Sequence, residues 1–455
     1  MNTTNKKWWV LISVGMSAAI TGVDFAIVNT ALPAIQMSLH ASILQLQWMM
    51  NIFVLLICMS LVMAGRLADI FGRRLVNYIG VILFGIASLL CGLATDPNWL
   101  IVFRGLQGLA SAIIIPCSLA IITNAFPPAE QGKAVGIWSS IIGIGLAIGP
   151  VLGGIIVGIA NWRWIFFINI PFTIISLALA IMNIKESHAK EFGTKIDWSG
   201  FILLSVGIGA LIIGIIQGQD WGWNSVYIIG LFIIGILALI VFYYVERNKA
   251  SPLLQVKLFA NKTFFAAMIA NFALVFFAWA AFFLMPLYLH TVHGQSTFVI
   301  GFMLLPITVI FTIIAPIAGH WVDKSGPKIP ILCGILLLAM TACLQALFHI
   351  HTSTLVILFA FIVFGFAWGL IFGPSTHAAI AALPANAAGI ASGALWTLQN
   401  MGGALGLALA GTLFRAQSSF ISGYHAAMWL LCAIAVVAAI IFMVLLKQPR
   451  AAKNA

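Results

Sequence analysis

The sequence predicts an all-α protein that crosses a membrane many times, and three observations carry that reading. Of 455 residues, 63% are hydrophobic and only 7% charged, with a mean hydropathy of +1.14. Roughly a quarter of the residues in ordinary soluble domains are charged, so this chain lacks the material for a water-facing surface. Apolar runs of about 20 residues, enough to cross the hydrocarbon core as helices, recur from end to end. The polar breaks between them carry their basic residues on alternate breaks, which is the mark of a polytopic topology.

The first run, at about 8–30, follows Lys6-Lys7-Trp8-Trp9. Such a start is similar to a signal peptide, but the run is too long and no small-residue cleavage site follows, so it reads as a retained span. Five further runs lie at about 45–64, 76–95, 99–123, 134–158 and 164–184. Two more, at about 199–217 and 226–245, precede a last set at about 264–288, 298–318, 329–348, 354–373, 387–414 and 426–446. About fourteen spans result, and an even number puts both termini on one side.

The basic residues choose that side. Lys6 and Lys7, then Arg66, Arg73 and Arg74, then Lys133, then Lys185, Lys190 and Lys195 fall on it. So do Arg247, Lys249, Lys257, Lys262, Lys324, Lys328, Lys447, Arg450 and Lys453. Only Arg163 and Arg415 fall on the other. This bias places the termini and the basic loops in the cytoplasm, with the chain in the cytoplasmic (inner) membrane of the cell. It also accounts for the net charge of +11 without a nucleic-acid partner. Aromatic residues in the loop from Gln217 to Trp223 suit a helix end at the headgroups.

The chain repeats itself. Gly65-Arg66-Leu67-Ala68-Asp69-Ile70-Phe71-Gly72-Arg73-Arg74 follows the second span, and Gly319-His320-Trp321-Val322-Asp323-Lys324-Ser325-Gly326-Pro327-Lys328 follows the tenth. Both run Gly, then Asp, then Gly, then a basic residue at nearly matching offsets. Pro127, Gly132, Ala134 and Gly136 are echoed by Pro384, Gly389, Ala391 and Gly393. The offset of eight spans implies a six-helix bundle at 1–184, a linker with two inserted spans at 185–262, and a second six-helix bundle with a tail at 263–455. Paired bundles of this kind are how secondary transporters alternate access to a site near the membrane midplane. The inserted spans carry no charge within the membrane, and a spacer or lipid-contact role is expected for them.

A few polar residues interrupt the apolar runs. Asp24 is the one acid placed well inside a span, and such residues are costly and mark ion pathways. Burial disfavours a carboxylate's charged form, which suits a group that gains and loses a proton; a packing acid held by a polar neighbour is the plainer alternative. Arg104 is the one base within a span, and it shares a helix face with Gln107, Gly108 and Ser111. It needs an internal partner, for which Asp24 is the candidate, unless it snorkels to the membrane surface. Gly145, Gly149 and Gly153 form a small-residue stripe beside Pro150 and Gly154, inviting close helix approach and a kink. Asp69 is expected to pair with a neighbouring arginine or cap a helix, closing a latch on the cytoplasmic side. Asn29, Gln107, Ser111, Gln399 and Asn400 are the polar candidates for a central cavity.

Nothing points to an enzyme. No phosphate-cradling Gly-x4-Gly-Lys-Ser/Thr loop is present. The six cysteines form no Cys-x-x-Cys pair and the nine histidines have no metal-ligand spacing, so no metal site is expected. His349 and His351 are expected to be solvated.

Five stretches together resemble the major facilitator superfamily, and within it the fourteen-span drug:proton antiporters of the EmrB/QacA type. Gly65 to Arg74 resembles the signature loop, and Val23 to Pro33 the first-span signature with its Asp. Arg104-Gly105-Leu106-Gln107-Gly108 resembles the fourth-span coupling motif, Gly145 to Gly154 the antiporter motif, and Trp162 to Pro171 the start of the sixth span in the fourteen-span group. The resemblance implies the major facilitator fold, with Asp24 and Arg104 in proton coupling. It implies that Gly149-Pro150 supports export, and that Gly65, Asp69, Gly72, Arg73 and Arg74, with Gly319, Asp323 and Gly326, gate the cytoplasmic side.

There are departures. Val23 and Ala26 replace the commoner Leu and Thr, and Leu398-Gln399-Asn400 lacks a neighbouring arginine seen in many relatives. The last six spans have no internal acid, which disfavours dicationic substrates. The expectation is a proton-driven antiporter exporting amphipathic or lipophilic compounds by alternating access, with Asp24 protonated from outside and releasing its proton inside, so that substrate binding and proton binding exclude each other. It would need no cofactor, and in a Gram-negative cell a periplasmic adaptor could join it. A dedicated exporter of one endogenous metabolite, such as a siderophore, lipid or amino-acid derivative, is the alternative. A non-transporting membrane sensor is the third reading.

Overall fold

A computed structural model describes residues 3–187, 197–249, 256–382 and 388–445. Among them there are helices and no strand. The first group is α1 (Thr3–Leu39), α2 (Ile43–Phe71), α3 (Arg73–Leu93), α4 (Pro97–Ala125), α5 (Pro128–Ile159), α6 (Trp164–Phe167) and α7 (Asn169–Asn183). Next come α8 (Trp198–Trp221) and α9 (Val226–Arg247), then a 3-10 turn at Val256–Ala260. The last group is α10 (Lys262–Thr291), α11 (Thr297–Ser325), α12 (Lys328–Ala346), α13 (Thr354–Ala381), α14 (Ala388–Arg415) and α15 (Phe420–Leu445).

Thirteen helical stretches, with α6 and α7 counted as one, are long and apolar enough to cross a membrane. The fourteenth is α14, 28 residues long, whose glycines and whose Thr397, Gln399 and Asn400 make it less apolar. The helices outrun the apolar runs. α1 continues to Leu39 through Pro33, and α2 continues through Gly65 to Phe71. A polar residue ends the stretch that suits lipid without ending the backbone hydrogen bonding, so the expected span limits were too short.

Helix starts are set by local chemistry. Ser42 and Gln45 form a capping box at α2, and Asp96 accepts from the Asn98 amide ahead of α4. Gly72 alone separates α2 from α3, with φ of 108°, a conformation that favours glycine. The signature stretch is therefore two helix ends around one hinge residue, rather than a loop. Gly326, with φ of 78°, and Pro327 divide α11 from α12.

The same set of neighbours recurs at both ends of the chain. α1 packs on α5 and α7, α4 on α2 and α3, and α3 on α7. Correspondingly, α10 packs on α14 and α15, α13 on α11 and α12, and α12 on α15. These two groups are called the N-terminal and C-terminal halves below. They meet through α5 against α11, α2 against α14, and α1 against α10. α8 pairs with α9 and also lies on α2 and α14, while α9 is exposed along most of its length. The face bearing Gly72 and Lys185 is called the basic face; the other is the opposite face.

Candidate functional site

Asp24 is fully buried at mid-height of α1, and the helices around it converge on its carboxylate. Oδ2 accepts from Arg104 Nη1 on α4. Oδ1 accepts from Gln107 Nε2 on α4 (3.1 Å) and from Asn169 Nδ2 on α7 (2.8 Å). All three contacts are donors, an arrangement matched to the ionised carboxylate. Arg104 is fully buried too, so it does not snorkel. Its Nη1 also donates to Gln107 Oε1 (2.8 Å), and its Nε to the Met49 carbonyl (3.4 Å). The guanidinium lies over the Phe53 ring, 4.2 Å from its centroid.

Three members of this cluster escaped the sequence reading. Ser88 and Cys91 on α3 reach Gln107, Ser88 Oγ accepting at 2.9 Å and Cys91 Sγ donating at 3.3 Å. Asn169 begins α7 immediately after the break at Ile168 that ends α6. Its one visible signal is an amide inside Trp164-Ile165-Phe166-Phe167-Ile168-Asn169-Ile170.

Between the halves lies an apolar cavity at mid-height of its helices. Phe25 from α1 and Phe53, Val54 and Ile57 from α2 face Trp279 from α10 and Phe311 from α11. Trp368 and Phe372 of α13, and Trp396, Gln399 and Asn400 of α14, complete the far wall. Phe25 meets Trp279 across the halves with ring centroids 4.0 Å apart. Of the polar cavity candidates, Gln399 and Asn400 line it. Asn29, Gln107 and Ser111 are buried elsewhere: Asn29 donates to the Phe25 carbonyl (2.8 Å) and Ser111 to that of Gln107 (2.9 Å). Asp24 is not in the lining, but its chain neighbour Phe25 is, as is Phe53, over which the Arg104 guanidinium lies.

The turn at Gly72 is built within the N-terminal half. Arg73 grips Asp69 through Nε (3.0 Å) and Nη2 (2.8 Å) and donates to the Ala120 carbonyl of α4 (3.4 Å). Arg74 donates to the Tyr78 hydroxyl (2.8 Å). It is Glu186, not Asp69, that caps a helix: its oxygens accept from the Arg74 and Leu75 amides at the start of α3 (3.0 and 3.1 Å). A side chain at Gly72 would meet that carboxylate at 2.7 Å. Gly65 lies near Pro116 of α4, whereas a side chain at Gly319 would meet nothing within 4 Å. Asp323 lies in α11; its side chain is outside the described residues, as are those of Gly132, Gly136, Gly389, Ala391 and Gly393. Pro384 falls outside them altogether.

The glycine stripe of α5 lets α1 in. Side chains at Gly145 and Gly153 would lie 2.9 Å from the carbonyls of Ala19 and Ile27, and one at Gly149 would run into Ala26. Gly154 faces the other way, 2.9 Å from the Phe298 carbonyl of α11, so α5 touches both halves. Pro150 lies inside an unbroken helix.

On the opposite face, α2, α8 and α14 are tied together. Gln47 of α2 donates to the Leu407 and Ala408 carbonyls (3.4 and 3.0 Å) and accepts from Arg415 Nε (3.2 Å). Arg415 pairs with Asp220 of α8 (2.7 Å), and Thr412 donates to the Ile215 carbonyl (3.0 Å). α8 is thus bonded to α14 of the C-terminal half. His349 and His351 are both exposed, as expected, and His349 lies edge-on against His425 with centroids 5.3 Å apart.

Comparison with known proteins agrees with this architecture. The family profile of the Major Facilitator Superfamily matches residues 14–197 and 198–407. Multidrug resistance protein Stp of Mycobacterium tuberculosis (strain CDC 1551 / Oshkosh) is 36% identical over 90% of this chain and 76% of its own length. The tetracenomycin C resistance and export protein of Streptomyces glaucescens is 31% identical over 90% of this chain and 77% of its own. Among solved structures, a POT family transporter in complex with a thioalcohol-conjugated peptide superimposes with a TM-score of 0.74 at 14% identity, over 96% of this chain and 95% of that one. The profile match and the identity to these relatives show that the chain belongs to the Major Facilitator Superfamily, a multi-pass membrane transporter rather than an enzyme.

Proposed function

We propose that the protein is a proton-driven multidrug exporter, moving amphipathic compounds out of the cytoplasm by alternating access between its halves. The observation that carries the reading is the placement of the Asp24–Arg104 cluster directly behind the cavity. Phe25 follows Asp24 in the chain and Phe53 lies under Arg104, and both rings line the cavity. A proton arriving on Asp24 cancels its charge and leaves Arg104 without its ion pair, so the guanidinium and the ring beneath it must resettle. Because Asp24 lies outside the lining, substrate and proton would exclude each other through these two rings. The proton gradient is the energy source, and the cycle calls for no cofactor.

The basic face is the cytoplasmic one in this reading, with both termini on it and the protein in the cytoplasmic membrane. Asp69, Arg73 and Glu186 act as the hinge clamp of the N-terminal half, since their contacts stay within it. In a Gram-negative envelope a periplasmic adaptor would receive the substrate. The relatives are named for multidrug resistance and for resistance to tetracenomycin C, which favours drug export over a dedicated metabolite exporter.

Inside-out vesicles with an acid interior test this. Lipophilic compounds should dissipate the pH gradient through the wild-type protein and fail to do so through Asp24→Asn. Equal dissipation by both would refute the role given to Asp24.

A further inference from the structure

The cavity offers aromatic faces, one patch of unspent hydrogen-bonding capacity, and no charge. None of its lining side chains is acidic or basic. Asp24 and Arg104, just behind it, are held by each other. Two of its polar groups are already committed: Thr21 donates to the Ala18 carbonyl (2.7 Å), and the Asn400 amide to that of Trp396 (2.8 Å). Gln399 is different. It is 7% exposed, lines the cavity, and its side chain makes no hydrogen bond among the described residues. The indole N–H of Trp279 is likewise buried without a partner. Trp279 is pressed against Gly403, one turn along α14 from Gln399, so both residues border the same face of that helix.

A buried amide without a partner is costly, and a ligand in the cavity that supplies one recovers that cost; the Trp279 N–H, packed against α14, is closed to it. The aromatic walls favour a flat ring system through offset and edge contacts. A permanent cation entering here gives up its water for ring faces and neutral amide oxygens, with no counter-charge. Cation–π attraction does not replace a full hydration shell when no counter-charge is present.

We infer that the substrates of this exporter are uncharged, planar aromatic compounds with a hydrogen-bonding edge, and that Gln399 reads that edge. The inference rests on the exporter reading for its meaning, while its chemistry is tested by binding alone.

Three flat tricyclic probes separate the terms: acridone, with a carbonyl and an N–H edge; anthracene, with no edge; and N-methylacridinium, a permanent cation. Binding to the purified protein in lipid nanodiscs, with empty nanodiscs subtracted, should favour acridone at least about tenfold over each of the others, or about 1.4 kcal/mol. Gln399→Leu should erase the preference over anthracene, and Gln399→Asn, which keeps an amide, should retain part of it and control for folding. Gln399→Glu should gain N-methylacridinium at the expense of acridone. Equal or tighter binding of the cation by the wild type, an unchanged acridone preference in Gln399→Leu, or no binding of any probe would overturn the inference. If acridone binds as expected but is not exported from vesicles, the exporter reading falls and this one stands.

Discussion

Asp24 and Arg104 neutralise each other where neither meets water, so each is tolerable only while the other is present. Removing the base alone strands a buried carboxylate, and breaking such a pair costs about 3–5 kcal/mol. Arg104→Ala is therefore expected to lower the unfolding temperature in detergent sharply. The double variant Asp24→Asn/Arg104→Gln, which removes both charges and keeps hydrogen-bonding groups, should recover most of that loss without recovering transport. A single variant as stable as the wild type would mean the pair is not the anchor described here. The charged members of this cluster were legible because charge within an apolar run is rare. Gln107 was legible as a residue on the Arg104 face, although its expected place was the cavity. Ser88, Cys91 and Asn169 were not legible, since small polar residues in membrane helices satisfy their own backbone as often as they serve a neighbour; Ser111 and Asn29 do just that.

At the level of helices, the ends matter more than the middles. Asp197 caps α8, accepting from the Gly200 amide at 2.7 Å, and it is bonded to Lys249. Burial pushes the Asp197 carboxyl up, but hydrogen bonding with Glu246, the bonds donated by Lys249 and the Gly200 amide, and the Lys249 charge outweigh it and bring it down to about 2. A lowered value means stability that is complete above the ordinary 3.8 and is lost as pH falls through about 2. Asp197→Ala should thus cost about 1 kcal/mol of thermal stability, by an amount that stays level from neutral pH down to about pH 5. A cost that vanishes by pH 6 would contradict the cap. At the other end of α8, Arg415→Ala removes the bonds to Gln47, Asp220 and the Ile216 carbonyl together. Faster amide hydrogen exchange is expected over the last turns of α8 and α14, with α3 unchanged; uniform exchange would show that Arg415 is not the tie. The two inserted helices could be counted from hydropathy. Their attachment could not, because it depends on which carbonyls a distant arginine reaches across the fold.

For the whole molecule, the repeated glycine–aspartate–glycine pattern announced two similar halves, and the helix neighbours repeat accordingly. The cavity was less legible. Its walls are Phe, Trp, Ile and Val, the same residues that pack helices everywhere in this chain, so only the assembled halves distinguish lining from core. Assembly also shows that Asp24 is absent from the cavity lining while its chain neighbour Phe25 belongs to it. The central claim is that Asp24 carries the coupling proton and that cavity occupancy reaches it through the Phe25 and Phe53 rings. The most direct measurement is proton release from the purified protein in lightly buffered detergent on adding a bound compound, followed with a pH indicator. The account predicts release by the wild type and none by Asp24→Asn, with the compound still binding to both. Undiminished release from Asp24→Asn would contradict it.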